Sequence, residues 1–248
     1  MIDYKINING LDVDAHYTEA NVKEIFIPLL EKLTELQKKK SKRILVILAA
    51  PPGAGKSTLC SYLEKLSKET ENVKEIQAIG MDGFHRLQEY LTSHKTIRDG
   101  EEILMVKIKG APETFDLPLL IERIQKVTSG ENCGWPIYDR TLHNPVDNVI
   151  TVTSDIILLE GNYLLLNESG WTDIEKYADY TILLKANEDM LRNRLINRKA
   201  ASGNSIEVAT SFVDYSDMVN VRTCLQKSKK ADLILEVLED STYKSILN

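Results

Sequence analysis

The sequence predicts an α/β fold: a three-layer sandwich with a central, mostly parallel sheet, helices on both faces and a small helical lid. Three observations predict it. Short, almost wholly apolar segments recur at residues 43–50, 155–160, 180–184 and 231–236, as strands buried on both faces require. Segments with apolar residues at helical spacing alternate with them. A turn of Pro51, Pro52, Gly53, Ala54 and Gly55 then joins the first apolar strand directly to a helical segment.

The elements follow in order. Residues 1–15 read as a short polar strand or arm. Residues 17–37 place Val22, Ile25, Phe26, Leu29, Leu30, Leu33 and Leu36 on one helical face. That helix is either a dimer element, giving a homodimer, or simple packing. The basic run from Lys38 to Arg43 suits a solvated helix C-terminus. The first core strand is 43–50, and the helix after the glycine-rich turn is 57–68. A second strand is expected at 75–80, with helical patterns at 85–94 and 116–128. Strands at 155–160 and 180–184 follow, then helices at 187–201 and 205–226. A strand at 231–236 closes the set. This divides the chain into an N-terminal arm and helix (1–42) packed on a single domain (43–248), with the lid at about 187–205.

The 248 residues are 43% hydrophobic and 27% charged, ordinary for a globular chain. A net charge of -6 argues against nucleic acid as a partner. Cys60, Cys133 and Cys224 are far apart in sequence and form no Cys-x-x-Cys pair, which fits a reducing compartment. The first residues carry no basic stretch followed by an apolar one, and the longest apolar run is far too short to span a membrane. The expected location is cytoplasmic, with no membrane partner.

The chemistry concentrates at the predicted strand ends, where ligands of such sheets bind. Pro52, Gly53, Ala54, Gly55, Lys56, Ser57 and Thr58 form a phosphate-binding loop. Its glycines let successive N–H groups converge on phosphate oxygens. Lys56 supplies a point charge toward the β- and γ-phosphates, and Ser57 can ligate Mg²⁺. The loop departs from the usual pattern in having Ala50 where a glycine is common. Asp82 follows the second strand and is a candidate general base, with helix capping as its competing role. Glu160 ends the next apolar strand and is a candidate for holding Mg²⁺ with Ser57. Tyr138, Arg140 and His143 cluster on a loop-like stretch suited to a small polar substrate, and His85 lies three residues past Asp82. Asp116 reads as a helix cap. Arg194 and Arg198, four apart, share a helix face and could close on transferring phosphate; Arg192 is a weaker candidate. The expected ligands are therefore ATP and Mg²⁺.

These motifs together resemble the phosphoribulokinase, uridine kinase and pantothenate kinase superfamily of P-loop kinases. Residues 81–85 resemble the post-strand motif of its nucleoside/nucleotide branch, which includes kinases named after fructose transport. Residues 111–116 and 136–143 are similar to the Pro-x-x-Phe-Asp and Pro-x-Tyr-Asp-x-x-x-His elements of uridine kinases. Residues 158–166 resemble the second acidic motif, and 191–198 the arginine lid. Asp217 and Asn220 fit a further element to which no chemical role is assigned. The resemblance implies a P-loop NTPase fold. It also implies an ATP-dependent phosphotransferase acting on an alcohol group of a nucleoside, sugar or pantothenate-like acceptor. The rival expectations are a nucleotide-operated regulatory ATPase without an acceptor, and a kinase fold kept as a binding module.

Overall fold

The computed structural model describes residues 1–8 and 10–246. Its chain order begins with strands β1 (Ile2–Ile8) and β2 (Leu11–Tyr17). Helix α1 (Glu19–Asn21) runs through a π turn at Val22–Phe26 into α2 (Ile27–Lys40). Then come β3 (Ile44–Ala49), α3 (Lys56–Glu69), β4 (Ile76–Gly80) and α4 (Gln88–Ser93). Strands β5 (Lys95–Arg98) and β6 (Glu101–Leu104) precede α5 (Leu117–Thr128). Strands β7 (Cys133–Asp139) and β8 (Asn144–Val152) lead to β9 (Ile156–Gly161) and β10 (Tyr180–Ala186). The chain ends with α6 (Glu188–Ala201), α7 (Ile206–Phe212), α8 (Met218–Lys227), β11 (Leu233–Val237) and β12 (Tyr243–Ile246).

The main sheet has the order β12-β11-β10-β3-β9-β4, and only β12 pairs antiparallel. Every residue of β3 and β9 is buried, as the apolar sequence of β3 and the four apolar residues that open β9 require; Glu160, near the end of β9, is buried with them. Strand period then sorts β3 between two cores. Ile44, Val46 and Leu48 pack with α2 and α3, whereas Leu45, Ile47 and Ala49 pack with α5 and with Trp135 of β7. The sheet is thus covered on both faces. Parallel register levels the carboxyl ends: Leu48 lies beside Glu160, and Glu160 beside Gly80.

Several local expectations need revision. The N-terminal arm is a β-hairpin, paired from Ile2↔Tyr17 to Ile8↔Leu11. The loop-like stretch at 136–146 belongs to a second hairpin, β7–β8, and β5–β6 forms a third. Asp82 does not cap a helix at 85–94, because α4 begins at Gln88 after Leu87 and Asp82 sits in a 3₁₀ turn at Met81–Phe84. Asp116 does cap α5, accepting from the Leu119 N–H. The basic run after α2 is not simply solvated. Lys40 pairs with Asp179, and Arg43 donates to the Ser154 and Glu131 carbonyls. All three cysteines are free and buried, and burial pushes the thiols of Cys60, Cys133 and Cys224 up. Among the described residues, no helix is long and apolar enough to cross a membrane.

Candidate active site

The loop between β3 and α3 supplies the centre. Ala50 continues β3, buried, with its N–H bonded to the Gly161 carbonyl. It is absent from the positive-φ positions, so a methyl is accommodated where a glycine is common. Left-handed backbone is needed three and five residues later, at Gly53 (φ 81°) and Gly55 (φ 84°). Gly55 is the N-cap of α3 and supplies no side chain to its N–H groups. A helix start without a side-chain cap, next to Lys56, has the N–H donors and positive charge that suit an anion.

Ser57 and Glu160 meet there: the Ser57 hydroxyl donates to Glu160 Oε1 at 2.6 Å. Glu160 is 8% exposed, and its Oε2 is buried without a hydrogen-bond partner among the described residues. Burial raises its pKa; Lys56 opposes this, Asp82 reinforces it, and the Ser57 bond opposes it. An orphaned carboxylate oxygen beside a hydroxyl fits a divalent cation. Among the described residues no three His, Cys, Asp or Glu side chains gather as a metal cluster. Mg²⁺ takes one or two protein ligands and completes its shell with water and phosphate.

Asp82 stands two residues beyond Gly80. It shares with Ser57 and Glu160 a cavity of about 210 Å³, also lined by Tyr138, Glu64 and Ile79. The β7–β8 hairpin presses onto the turn carrying Asp82. A Cβ on Gly83 would lie 2.1 Å from the Pro136 carbonyl oxygen, so only glycine fits. The Trp135 indole donates to the Gly80 carbonyl at 2.8 Å, and Arg123 secures the hairpin from α5 through Asp147. These contacts bring Tyr138 to Asp82. Burial raises the Tyr138 pKa, which keeps its hydroxyl protonated and able to donate.

The remaining sequence-derived residues divide. His85 stacks on Phe115 at 4.0 Å and meets the Tyr138 ring edge-on. Burial lowers its pKa to about 4, against the pull of Asp82, so it is neutral near pH 7. His85 therefore backs Tyr138 and does not line the cavity. Arg140 is close enough to act electrostatically on His85, Tyr138 and Arg198. His143 lies at the exposed hairpin tip with φ 52°, and its carbonyl, not its ring, is held by Lys109 at 3.0 Å. The structure does not bring the His143 ring to the cavity.

Helix α6 sends its arginines to separate places. Leu195 Cγ and the Leu191 carbonyl pack within 3.2 and 3.4 Å of the space beside Gly53, so the first half of α6 supports the loop. Arg192 turns away to a bidentate pair with Asp214. Arg194 donates to Ser241 Oγ at 3.3 Å and lines a second cavity of about 330 Å³ with Gly53, Gly55 and Thr58. Arg198 is exposed, on the turn of α6 beyond Arg194, with neighbouring atoms that partly desolvate its guanidinium. That desolvation lowers its pKa first, Arg140 repels it, and Asp217 and Asp82 attract it. Asn220, beside Asp217's turn, is buried and faces Gly110. Sequence reasoning missed Lys109. It bonds Gln88 Oε1 at 2.7 Å and lies 4.9 Å over the Tyr138 ring, and its only signal was its place before Gly110 in a turn-rich segment.

Two cavities flanking one glycine-rich loop at the end of a parallel sheet define a P-loop phosphotransferase fold. The phosphoribulokinase/uridine kinase family pattern matches residues 45–243, and the chain belongs to that family, among ATP-dependent small-molecule kinases. An uncharacterized Escherichia coli protein, YggC, is 38% identical over 240 residues, 96% of this chain and 97% of its own. A Schizosaccharomyces pombe protein provisionally described as a uridine kinase is 33% identical, covering 84% of this chain and 88% of its own. A crystal structure from Silicibacter sp. TM1040, provisionally described as a fructose transport system kinase, superposes with a TM-score of 0.71. It is 28% identical and covers 83% of this chain and 98% of its own.

Proposed function

We propose that the chain transfers the γ-phosphate of ATP to a hydroxyl of a small nucleoside-, sugar- or pantothenate-like acceptor seated in the cavity against Asp82. The observation that carries this reading is that Asp82, Ser57 and Glu160 line one cavity beside the uncapped start of α3. Residues 52–58 hold the phosphates. Ser57 and Glu160 would hold Mg²⁺, which when bound would neutralise phosphate charge. Asp82 accepts the proton of the acceptor hydroxyl as its oxygen attacks the γ-phosphorus and ADP departs. Lys56 and Arg198 stabilise the charge that develops on the transferring oxygens. Tyr138 and Arg140 orient the acceptor, with His85 and Lys109 fixing Tyr138. The cavity pairs carboxylates able to accept from hydroxyls, Asp82 and Glu64, with the apolar walls of Ile79 and Ile150, which suits a polyhydroxyl body with an apolar face.

The test is ADP release from Mg·ATP across nucleosides, pentoses, ketohexoses, polyols and pantothenate, with a control lacking acceptor. One chemical class should raise the rate. Asp82→Asn should then cut turnover by about 100-fold or more while leaving the affinity for Mg·ADP within about twofold. A rate that no acceptor changes would overturn the kinase reading in favour of an acceptor-free ATPase. Unaltered turnover in Asp82→Asn would remove the base assignment alone.

A further inference from the structure

The N-terminal hairpin borders both cavities, and the pattern of bordering residues says how. A strand that presents a face to a cavity lines it with alternate residues. Here Ile6, Asn7 and Ile8 line the first cavity consecutively, and so do residues 13–17 of β2 along the second. Consecutive lining means that the strand edges, not a face, meet the two spaces. Among the described residues the β1–β2 ribbon is a two-stranded sheet, so each strand has one edge free of ladder pairing.

The register identifies the groups on the β2 edge. Pairing ends at Ile8↔Leu11, so two residues separate the strands. The closing pair of such a hairpin is hydrogen-bonded, and bonded pairs alternate from it. Ile6↔Val13 and Tyr4↔Ala15 are then bonded pairs, whereas Asp14 and His16 point their N–H and C=O groups outward. The ribbon's base is fixed: the Tyr4 and Ser61 hydroxyls bond at 2.8 Å, and Tyr17 stacks on Tyr62 at 4.1 Å. The second cavity continues from Gly53, Gly55 and Thr58 of the phosphate loop, on the side opposite Asp82.

We infer that the outer edge of β2 reads the base of the donor nucleotide through main-chain groups of Asp14 and His16. This rests on the reading that residues 52–58 hold the donor's phosphates. A purine whose phosphates lie on the loop has its base in the second cavity. Adenine offers an acceptor at N1 and a donor at N6, the pattern that one N–H and one C=O along a strand edge complement. Inosine reverses that pattern.

The experiment compares binding of Mg·ADP and Mg·IDP by calorimetry, with no acceptor present. The wild type should bind Mg·ADP about 10-fold tighter, the scale of one or two hydrogen bonds gained or left unmade. Asp14→Pro removes an outward N–H without removing a bond to β1, and proline is tolerated on a strand edge. It should bring the two affinities to within about twofold. Lys5→Pro, at an outward position on β1 away from the second cavity, should keep the wild-type ratio. In the wild type, Mg·ADP should also slow hydrogen exchange at the Asp14 amide while Mg·IDP does not, a readout that stands even if the proline variant fails to fold. Equal wild-type affinities, or an Asp14 amide that exchanges unaltered, would overturn the inference and leave the kinase reading intact. Failure of Mg·ADP to bind at all would overturn both.

Discussion

His85 is a histidine the fold holds neutral, and that has a measurable cost. Its ring is pressed between Phe115 and Tyr138, and burial sets its pKa at about 4 against an ordinary 6.5. Between those values the unfolded chain binds a proton that the folded chain refuses. The stabilisation is therefore fully present above pH 6.5 and is lost as pH falls through about 4. Its ceiling is about 3 kcal/mol. His85→Gln, which keeps a planar polar group without a titration, should flatten the dependence of the urea midpoint on pH between 7 and 4. Parallel curves for variant and wild type would show that His85 is not the titrating group. The sequence showed His85 only as a polar residue near Asp82. That it backs Tyr138 depends on Phe115, thirty positions away, and no local pattern carries such a contact. The same holds for Gly83, whose necessity comes from the Pro136 carbonyl on another hairpin.

Helix α6 shows how one element serves two tasks. Its first half is foundation: Met190, Leu191 and Leu195 are buried, and Leu191 and Leu195 pack under Gly53. Arg192 leaves on the opposite side of the helix, whereas Arg194 and Arg198 share a face and part along the axis. Arg192 pairs with Asp214, Arg194 faces the second cavity, and Arg198, one turn on, faces Arg140 and the Asp82 side. On the proposed mechanism, Arg198→Ala should lower kcat by about 100-fold or more, since one fixed cation at a developing charge is worth several kcal/mol. Thermal stability should not fall, because Arg198 is exposed and its removal also relieves the repulsion by Arg140. Arg192→Ala should change kcat by no more than about threefold, because an exposed pair with Asp214 touches neither cavity. Steady-state kinetics and melting curves on the two variants check this, and equal loss from both would refute the division. The elements of the main sheet were legible because fully buried strands have unmistakable composition; β3 and β9 fall within one residue of expectation at each end. The three hairpins were not. Their strands are partly exposed, β5 and β6 have only four residues each, and Pro136 and Pro145 interrupt β7 and β8, so neither period nor composition marks them beyond the polar strand or arm read at 1–15.

At the scale of the whole molecule, residues distant in sequence converge on the few ångströms beyond β3, β4 and β9. The sequence made that convergence readable for Lys56, Ser57, Asp82 and Glu160, since each follows a recognisable strand. It hid the N-terminal hairpin, whose place depends on tyrosine packing against α3. A molecule assembled this way should be held together by its ligand. Glu160 is the sharpest probe. Its raised pKa means the ligand-free fold favours the protonated acid, so its contribution to stability is fully present below the ordinary carboxylate range and is lost as pH rises through the raised value. Cation binding needs the opposite state, the carboxylate. Ligand-free Glu160→Gln should accordingly be at least as stable as the wild type once the pH has risen through that raised value and the wild type carries a buried charge. Saturating Mg·ADP at about 100 times its Kd should stabilise the wild type by about 2.7 kcal/mol, raising Tm by roughly 5–10 °C for a chain of this size. EDTA should remove most of that increment. In Glu160→Gln the increment should be small with or without Mg²⁺, because the group that answers to the cation is gone. Melting curves of the two proteins in the four conditions decide it. An equal, Mg²⁺-dependent increment in both would move the cation away from Glu160, whereas a variant that is more stable empty and less responsive loaded would show that the fold gives up stability at this position to keep a place for the metal.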